Sequence, residues 1–184
     1  MRIFRTGVGV AVRVGCSLKD LLCRQFQLDE SYVDRRITTI FLDGKPVDAV
    51  GSVRIREGST LALSAAMPGL AGAILRRGGA LAPLRANLPR GDGERIEAPE
   101  RDGVITVKLF NLLTRELAPA FLRRGVLLPA AEAEAFFSGM SGEFRTGCRE
   151  ILLDGERIGI DALERGGWAA GVGAVALSVE GVEG

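Results

Sequence analysis

The chain has 184 residues, 47% of them apolar, enough to bury a core as one domain or two small ones. Its 24 basic and 23 acidic residues nearly cancel, so no overall field recruits nucleic acid or an anionic membrane surface. There is no histidine, which removes the commonest general base, the commonest metal ligand and the usual pH switch, and weighs against an enzyme.

Taken in chain order, MRIFRTGVGVAVRV reads as an opening strand; Arg5 and Arg13 leave no apolar run long enough for a signal peptide. Ser17 then caps a helix, with Asp20 three residues on as a variant of the capping box, and Leu18, Leu21, Leu22 and Phe26 fall on one face. Asp43-Gly44 follows an apolar run and predicts a type I′ hairpin, which needs φ > 0 at both central residues. Leu61-Ala62-Leu63-Ser64 reads as a closing strand. The longest apolar stretch, STLALSAAMPGLAGAIL, lacks charge, but Pro68, Gly69 and Gly72 interrupt it and it is short for a membrane span. The stretch from Arg85 to Gly103 is dense in Pro, Gly and charge and reads as a linker or long loop.

The second half repeats the order. Val104 to Phe110 reads as a strand, Leu112 to Arg124 as a helix disturbed at Pro119, and Pro129 to Ser138 as an additional helix with Pro129 in its first turn and Gly139 past its end. Ile151-Leu152-Leu153-Asp154-Gly155-Glu156-Arg157-Ile158 echoes the run from Ile40 to Val47, and Val175-Ala176-Leu177-Ser178 echoes Leu61 to Ser64. Two echoes in one order point to an internal duplication. The expected fold class is α+β: a first unit over 1–84, a linker over 85–103 and a second unit over 104–184, each a mixed sheet covered by a helix.

That order, with GVITVKLFNLLTREL opening the second unit and LDGKPVD and REGSTLALSAAMPG closing the first, resembles the β-grasp fold of ubiquitin-like proteins. Within it, the chain is most similar to the sulfur carriers: the small subunit of molybdopterin synthase and the thiamine sulfur carrier. The resemblance implies two β-grasp-like units in tandem. It would also imply a terminal Gly-Gly carrying a thiocarboxylate, but this sequence ends Val182-Glu183-Gly184, and its first unit continues past Met67-Pro68-Gly69. Those departures argue against carrier chemistry.

Leu75-Arg76-Arg77-Gly78-Gly79 looks like a conjugation tail, yet it also reads as a helix end, with arginines at the negative pole and glycine in the left-handed cap. The near copy Leu122-Arg123-Arg124-Gly125 has the same cap chemistry without a second glycine, so the helix end is the reading adopted for both. Arg76, Arg77, Arg123 and Arg124 are candidates for an anion or partner contact, since guanidinium forks suit phosphate and carboxylate. A phosphate-loop reading of Gly69 and Gly72 fails for want of the Lys-Ser/Thr that follows in such loops. The apolar segment from Met67 to Leu84, with Met67, Leu70, Ile74, Leu81 and Leu84, is the candidate interface.

The three cysteines, Cys16, Cys23 and Cys148, form no C-x-x-C pair, which points to a reducing compartment and no zinc site. Cys16 precedes a helix whose dipole could activate it, whereas Cys23 and Cys148 read as small core residues. Asp43 and Asp154 are explained by their turns, Glu132 and Glu134 by a solvated helix face, and Trp168 reads equally as core or contact. The expectation is a cytoplasmic, non-catalytic interaction or scaffold module without cofactor or metal, self-associating or docking a protein through residues 67–84. A sulfur-carrier or ubiquitin-like modifier relative, and an anion or nucleic-acid binder using the arginine pairs, are the alternatives; nucleic acid is the less favoured partner, and no membrane span is expected.

Overall fold

The computed structural model describes residues 2–65, 69–79, 99–140 and 142–181. The chain opens with a helical turn, α1 (Ile3–Thr6), and not with strand, because Ile3 and Phe4 turn inward together and Gly7, at φ 123°, releases the chain into β1 (Val8–Val14). A side chain at position 7 would bring its Cβ to 2.7 Å from Cγ2 of Thr106. In β1 the alternation is regular: Val8, Val10, Val12 and Val14 are buried, while Ala11 and Arg13 face outward.

Ser17 caps the next helix as expected: its Oγ accepts from the Asp20 N–H at 3.0 Å and donates to the Asp20 carboxylate at 2.6 Å. That helix, α2 (Leu18–Asp20), winds on as a π-helical turn (Leu21–Gln25) and buries Leu18, Leu21 and Leu22 completely. Helix α3 (Glu30–Arg35) follows, then strands β2 (Thr39–Leu42), β3 (Lys45–Pro46) and β4 (Thr60–Ser64). Helix α4 (Gly69–Leu75) ends before the arginine pair and not on it as expected; Gly78, at φ 59°, lies in the turn that follows, closed by the Gly79 N–H bond to the Arg76 carbonyl at 3.2 Å.

Strand β5 (Arg101–Phe110) begins three residues ahead of the expected boundary, because Arg101, Asp102 and Gly103 extend the pairing with Val14, Arg13 and Val12. Helix α5 (Leu112–Arg124) runs through Pro119, which is exposed, so the helical donor lost to the Arg115 carbonyl can be replaced by water. Next come β6 (Val126–Pro129), α6 (Ala130–Ser138), α7 (Gly142–Gly147), β7 (Leu152–Leu153), β8 (Glu156–Arg157), α8 (Ile160–Arg165) and β9 (Ala174–Leu177).

The fold is α+β. Seven strands form a mixed sheet in the order β3-β2-β4-β5-β1-β6-β9, in which β4 and β5 are parallel and the other neighbours antiparallel. β5 thus lies between β4 and β1, joining strands from both halves of the sequence in one sheet. Its inward residues Ile105, Val107 and Leu109 share a core with Leu61 and Leu63 of β4, Leu18 of α2, Leu21 and Leu22 of the π-helical turn, and Leu113, Leu117 and Phe121 of α5. The helices cover that face; each fully buried Leu or Phe contributes about 1.5–3 kcal/mol.

Both Asp-Gly turns adopt the expected type I′ geometry: Asp43 and Gly44 have φ of 51° and 75°, Asp154 and Gly155 of 51° and 83°. Their settings differ. The first hairpin is an edge of the large sheet, and the Asp43 carboxylate accepts from the Thr60 N–H at 2.7 Å and the Ser59 hydroxyl at 3.2 Å. The second, β7–β8, is a separate two-stranded sheet. β9, the echo of β4, pairs with β6 and not with this hairpin, whereas β4 pairs with β2 of the first hairpin.

Candidate functional site

The inner arginine of each pair is committed to backbone. Arg77, only 13% exposed at its side chain, donates through Nη1 to the carbonyls of Val33 at 3.0 Å and Ile37 at 3.3 Å, and reaches Asp34 through Nη2 at 3.3 Å. Its own N–H donates to the Thr38 carbonyl at 2.8 Å. The side chain therefore serves as a C-terminal cap for α3, since the last carbonyls of a helix lack intrahelical donors. Its buried Nε has no partner among the described residues.

Arg124 has the same task elsewhere. Its guanidinium donates to the carbonyl of Gln25 and, at 3.2 Å, to that of Ala11, and lies 5.6 Å from the centre of the Phe26 ring. The partners of Arg77 lie within 33–38 and those of Arg124 are residues 11, 25 and 26, so Arg77 and Arg124 serve different parts of the fold. Arg76 and Arg123 are both exposed. Of the interface candidates, Ile74 is half-buried; Met67, Leu81, Leu84 and the side chain of Leu70 lie outside the described residues, as does most of the 85–103 linker.

Arg123 and Arg124 instead close one end of a groove of about 270 Å³. One wall is the loop from Gln25 to Leu28, the other the face of α5 that carries Leu117, Ala120 and Phe121. Its floor is aromatic: the Phe26 and Phe121 rings meet edge to face with centroids 4.8 Å apart. Gln27 sits at φ 58°, a left-handed conformation rare for a residue with a Cβ, and the Leu28 N–H bond to the Leu22 carbonyl at 3.1 Å secures the chain just beyond it. Arg123 has no hydrogen bond or ion pair among the described residues. The groove therefore offers apolar and aromatic surface beside a fixed cation and one that remains to be matched.

Beside the groove, Glu116 of α5 accepts from the Tyr32 hydroxyl at 2.6 Å and from Arg36. The Arg36 guanidinium, and then the Tyr32 hydroxyl, hold the Glu116 carboxyl below the usual carboxylate range. Burial, reinforced by the hydrogen bond to Glu116, pushes the Tyr32 hydroxyl up. Neither Tyr32 nor Glu116 stood out in the sequence, because their pairing is decided by how α3 lies on α5.

The cysteines are not poised for chemistry. Cys16 is 1% exposed; its thiol donates to the Arg13 carbonyl at 3.2 Å and accepts from Gln25 Nε2 at 3.2 Å. Burial pushes that thiol up, with Glu100 and Asp20 adding to the shift, the opposite direction to activation by the helix dipole. Burial likewise raises Cys23, which packs half-buried on the core. Cys148 is half-buried outside the main core, correcting its reading as a core residue. Among the described residues no group of three or more Cys, Asp or Glu could hold a metal ion.

Glu134 is not merely solvated: it accepts from the Ala169 N–H at 3.0 Å and fastens the loop after α8. Glu132 accepts from the Thr6 hydroxyl at 3.3 Å. Trp168 is a packing residue, its Nε1 donating to the Leu163 carbonyl at 3.0 Å and its ring set edgewise against Phe137. No helix among the described residues is long and apolar enough to cross a membrane. Compared with protein-family models, curated proteins and solved structures, the chain matches none.

Proposed function

We propose that the chain is a β-grasp-like interaction module that acts by binding and not by catalysis, taking up a partner protein's segment in the groove between residues 25–28 and α5. The observation that carries this reading is Arg123: an exposed guanidinium without a partner among the described residues, at the end of a groove floored by Phe26 and Phe121 and stiffened by Arg124. Aromatic surface next to arginine is what protein interfaces concentrate at their energetic centres. The segment that fits carries a carboxylate next to an aromatic or aliphatic side chain.

The β-grasp part of the reading rests on helices covering one face of a mixed sheet and on the matched Asp-Gly turns. The tandem part rests on the two sequence echoes and on the matching Asp-Gly turn in each half of the chain. The bonds of Arg77 to the carbonyls of Val33, Ile37 and Thr38 support a structural role over a conjugation tail for Arg76-Arg77-Gly78-Gly79.

The test is a titration of the isotope-labelled chain with short peptides that place Asp or Glu beside Leu or Phe. Amide shifts should cluster at 25–28 and 117–124, and Arg123→Ala should weaken binding by up to about five-fold, as expected for an exposed ion pair of about 0.2–1 kcal/mol. Shifts that fall elsewhere, or an affinity indifferent to Arg123, would remove the proposal. Equal binding by phosphate alone would replace a protein partner with a simple anion.

A further inference from the structure

The two edges of the large sheet are finished differently. β3 is a two-residue strand, Lys45–Pro46, whose charge and missing N–H deter a further strand. β9 carries neither device, and no strand among the described residues pairs with its outer side. The direction of its backbone groups follows from two hydrogen bonds: the Gly173 carbonyl accepts from the Ala130 N–H at 3.2 Å, and the Val179 N–H donates to the Leu122 carbonyl at 3.1 Å. Odd-numbered residues therefore face β6, and because antiparallel strands alternate, Ala174 and Ala176 turn their N–H and C=O groups outward. From Gly166 to Val179 the sequence has no charged residue. Val172 and Val179, flanking the strand, are 51% and 43% exposed.

The geometry points to pairing of this edge with the same edge of a second copy of the chain, antiparallel about a two-fold axis normal to the sheet that passes midway between the two copies of Ala176. Ala176 then exchanges N–H···O=C bonds with Ala176 of the partner subunit, and Ala174 with Ser178 of the partner subunit. Such an axis keeps each face of the sheet on its own side. Val175 and Leu177 both pack toward the core, so Val175 lies opposite Leu177 of the partner subunit and apolar meets apolar. Charge selects the same occupant: a charged strand would find no counter-charge along Gly166–Val179, while a second β9 brings none to repel. The interface is isologous and closes at two copies. It is independent of the groove.

Sedimentation of the full chain over a range of concentrations tests this, with wild type beside Ala176→Pro and Ala176→Lys. Neither change removes a bond to β6, because the Ala176 backbone points away from that strand; the lysine variant stands if the proline variant folds poorly. Wild type should run with the mass of two chains and both variants with the mass of one, with unchanged fluorescence from Trp168, the only tryptophan. A wild type that stays monomeric, or a dimer that survives both substitutions, overturns the pairing. So does a monomer whose Ala176 amide is protected from hydrogen exchange, which would assign the edge to the chain itself.

Discussion

The Tyr32 hydroxyl and the two oxygens of Glu116 form a latch between α3 and α5: Tyr32 donates to Oε2 at 2.6 Å while the Arg36 guanidinium forks across both oxygens. One carboxylate therefore holds Tyr32 of α3 and Arg36, the residue that ends that helix, and it precedes Leu117 of the groove by one position.

The latch should have a pH window. Glu116 is depressed below its ordinary value, so its contribution is full above the unfolded carboxylate pKa of about 4.3 and is lost as pH falls through the lower folded value. Tyr32 is raised, so its contribution is full below about 10 and is lost as pH rises through the higher folded value. Glu116→Gln should lower Tm at neutral pH, with the gap to wild type closing in acid. Tyr32 is the only tyrosine, so phenolate absorbance reads it directly. Its titration should move down toward the ordinary range in Glu116→Gln; identical titrations in the two proteins would show that the carboxylate does not matter to it.

Arg77 and Arg123 should separate cleanly. Arg77→Ala strips the side-chain donors from the Val33 and Ile37 carbonyls and should cost about 1–3 kcal/mol in urea unfolding, the range for leaving buried polar groups unpaired. Arg123→Ala touches no bond among the described residues and should stay within about 0.5 kcal/mol of wild type. Comparable losses in both would contradict the division into a structural and a free arginine.

Alkylation should rank the cysteines. Cys148 and Cys23 are half-buried and should label in the native protein well before Cys16, which is buried, bonded to Arg13 and Gln25, and raised by burial. In denaturant the three should label together. Peptide mass mapping after a timed pulse gives the order, and early labelling of Cys16 would mean that its cover opens readily.

What the sequence made legible is what local chemistry decides. Ser17 with Asp20, the two Asp-Gly turns, and the helix ends at Arg124 and Ser138 all depend on residues within a few positions of one another, and all were found where expected. What stayed hidden depends on distant partners. Nothing near Val104 to Phe110 says that it will lie between β4 and β1, because its period fits any buried strand. Gln27 gives no sign of its positive φ, being neither Gly nor Asn. The arginine pairs were visible as donors, but that Arg77 and Arg124 would be used up on carbonyls, leaving Arg123 at the groove, follows only from how the elements pack.

The place of β5 has a consequence for the order in which the molecule can be made. During synthesis β1, β2, β3 and β4 emerge first, yet β1 and β4 are not neighbours, and the strand that joins them leaves the ribosome only with Phe110. Until then their inward valines and leucines have no central strand to pack against, and the parallel pairing of β4 with β5 must close a loop of dozens of residues. The nascent chain therefore waits on its own middle before the sheet can set.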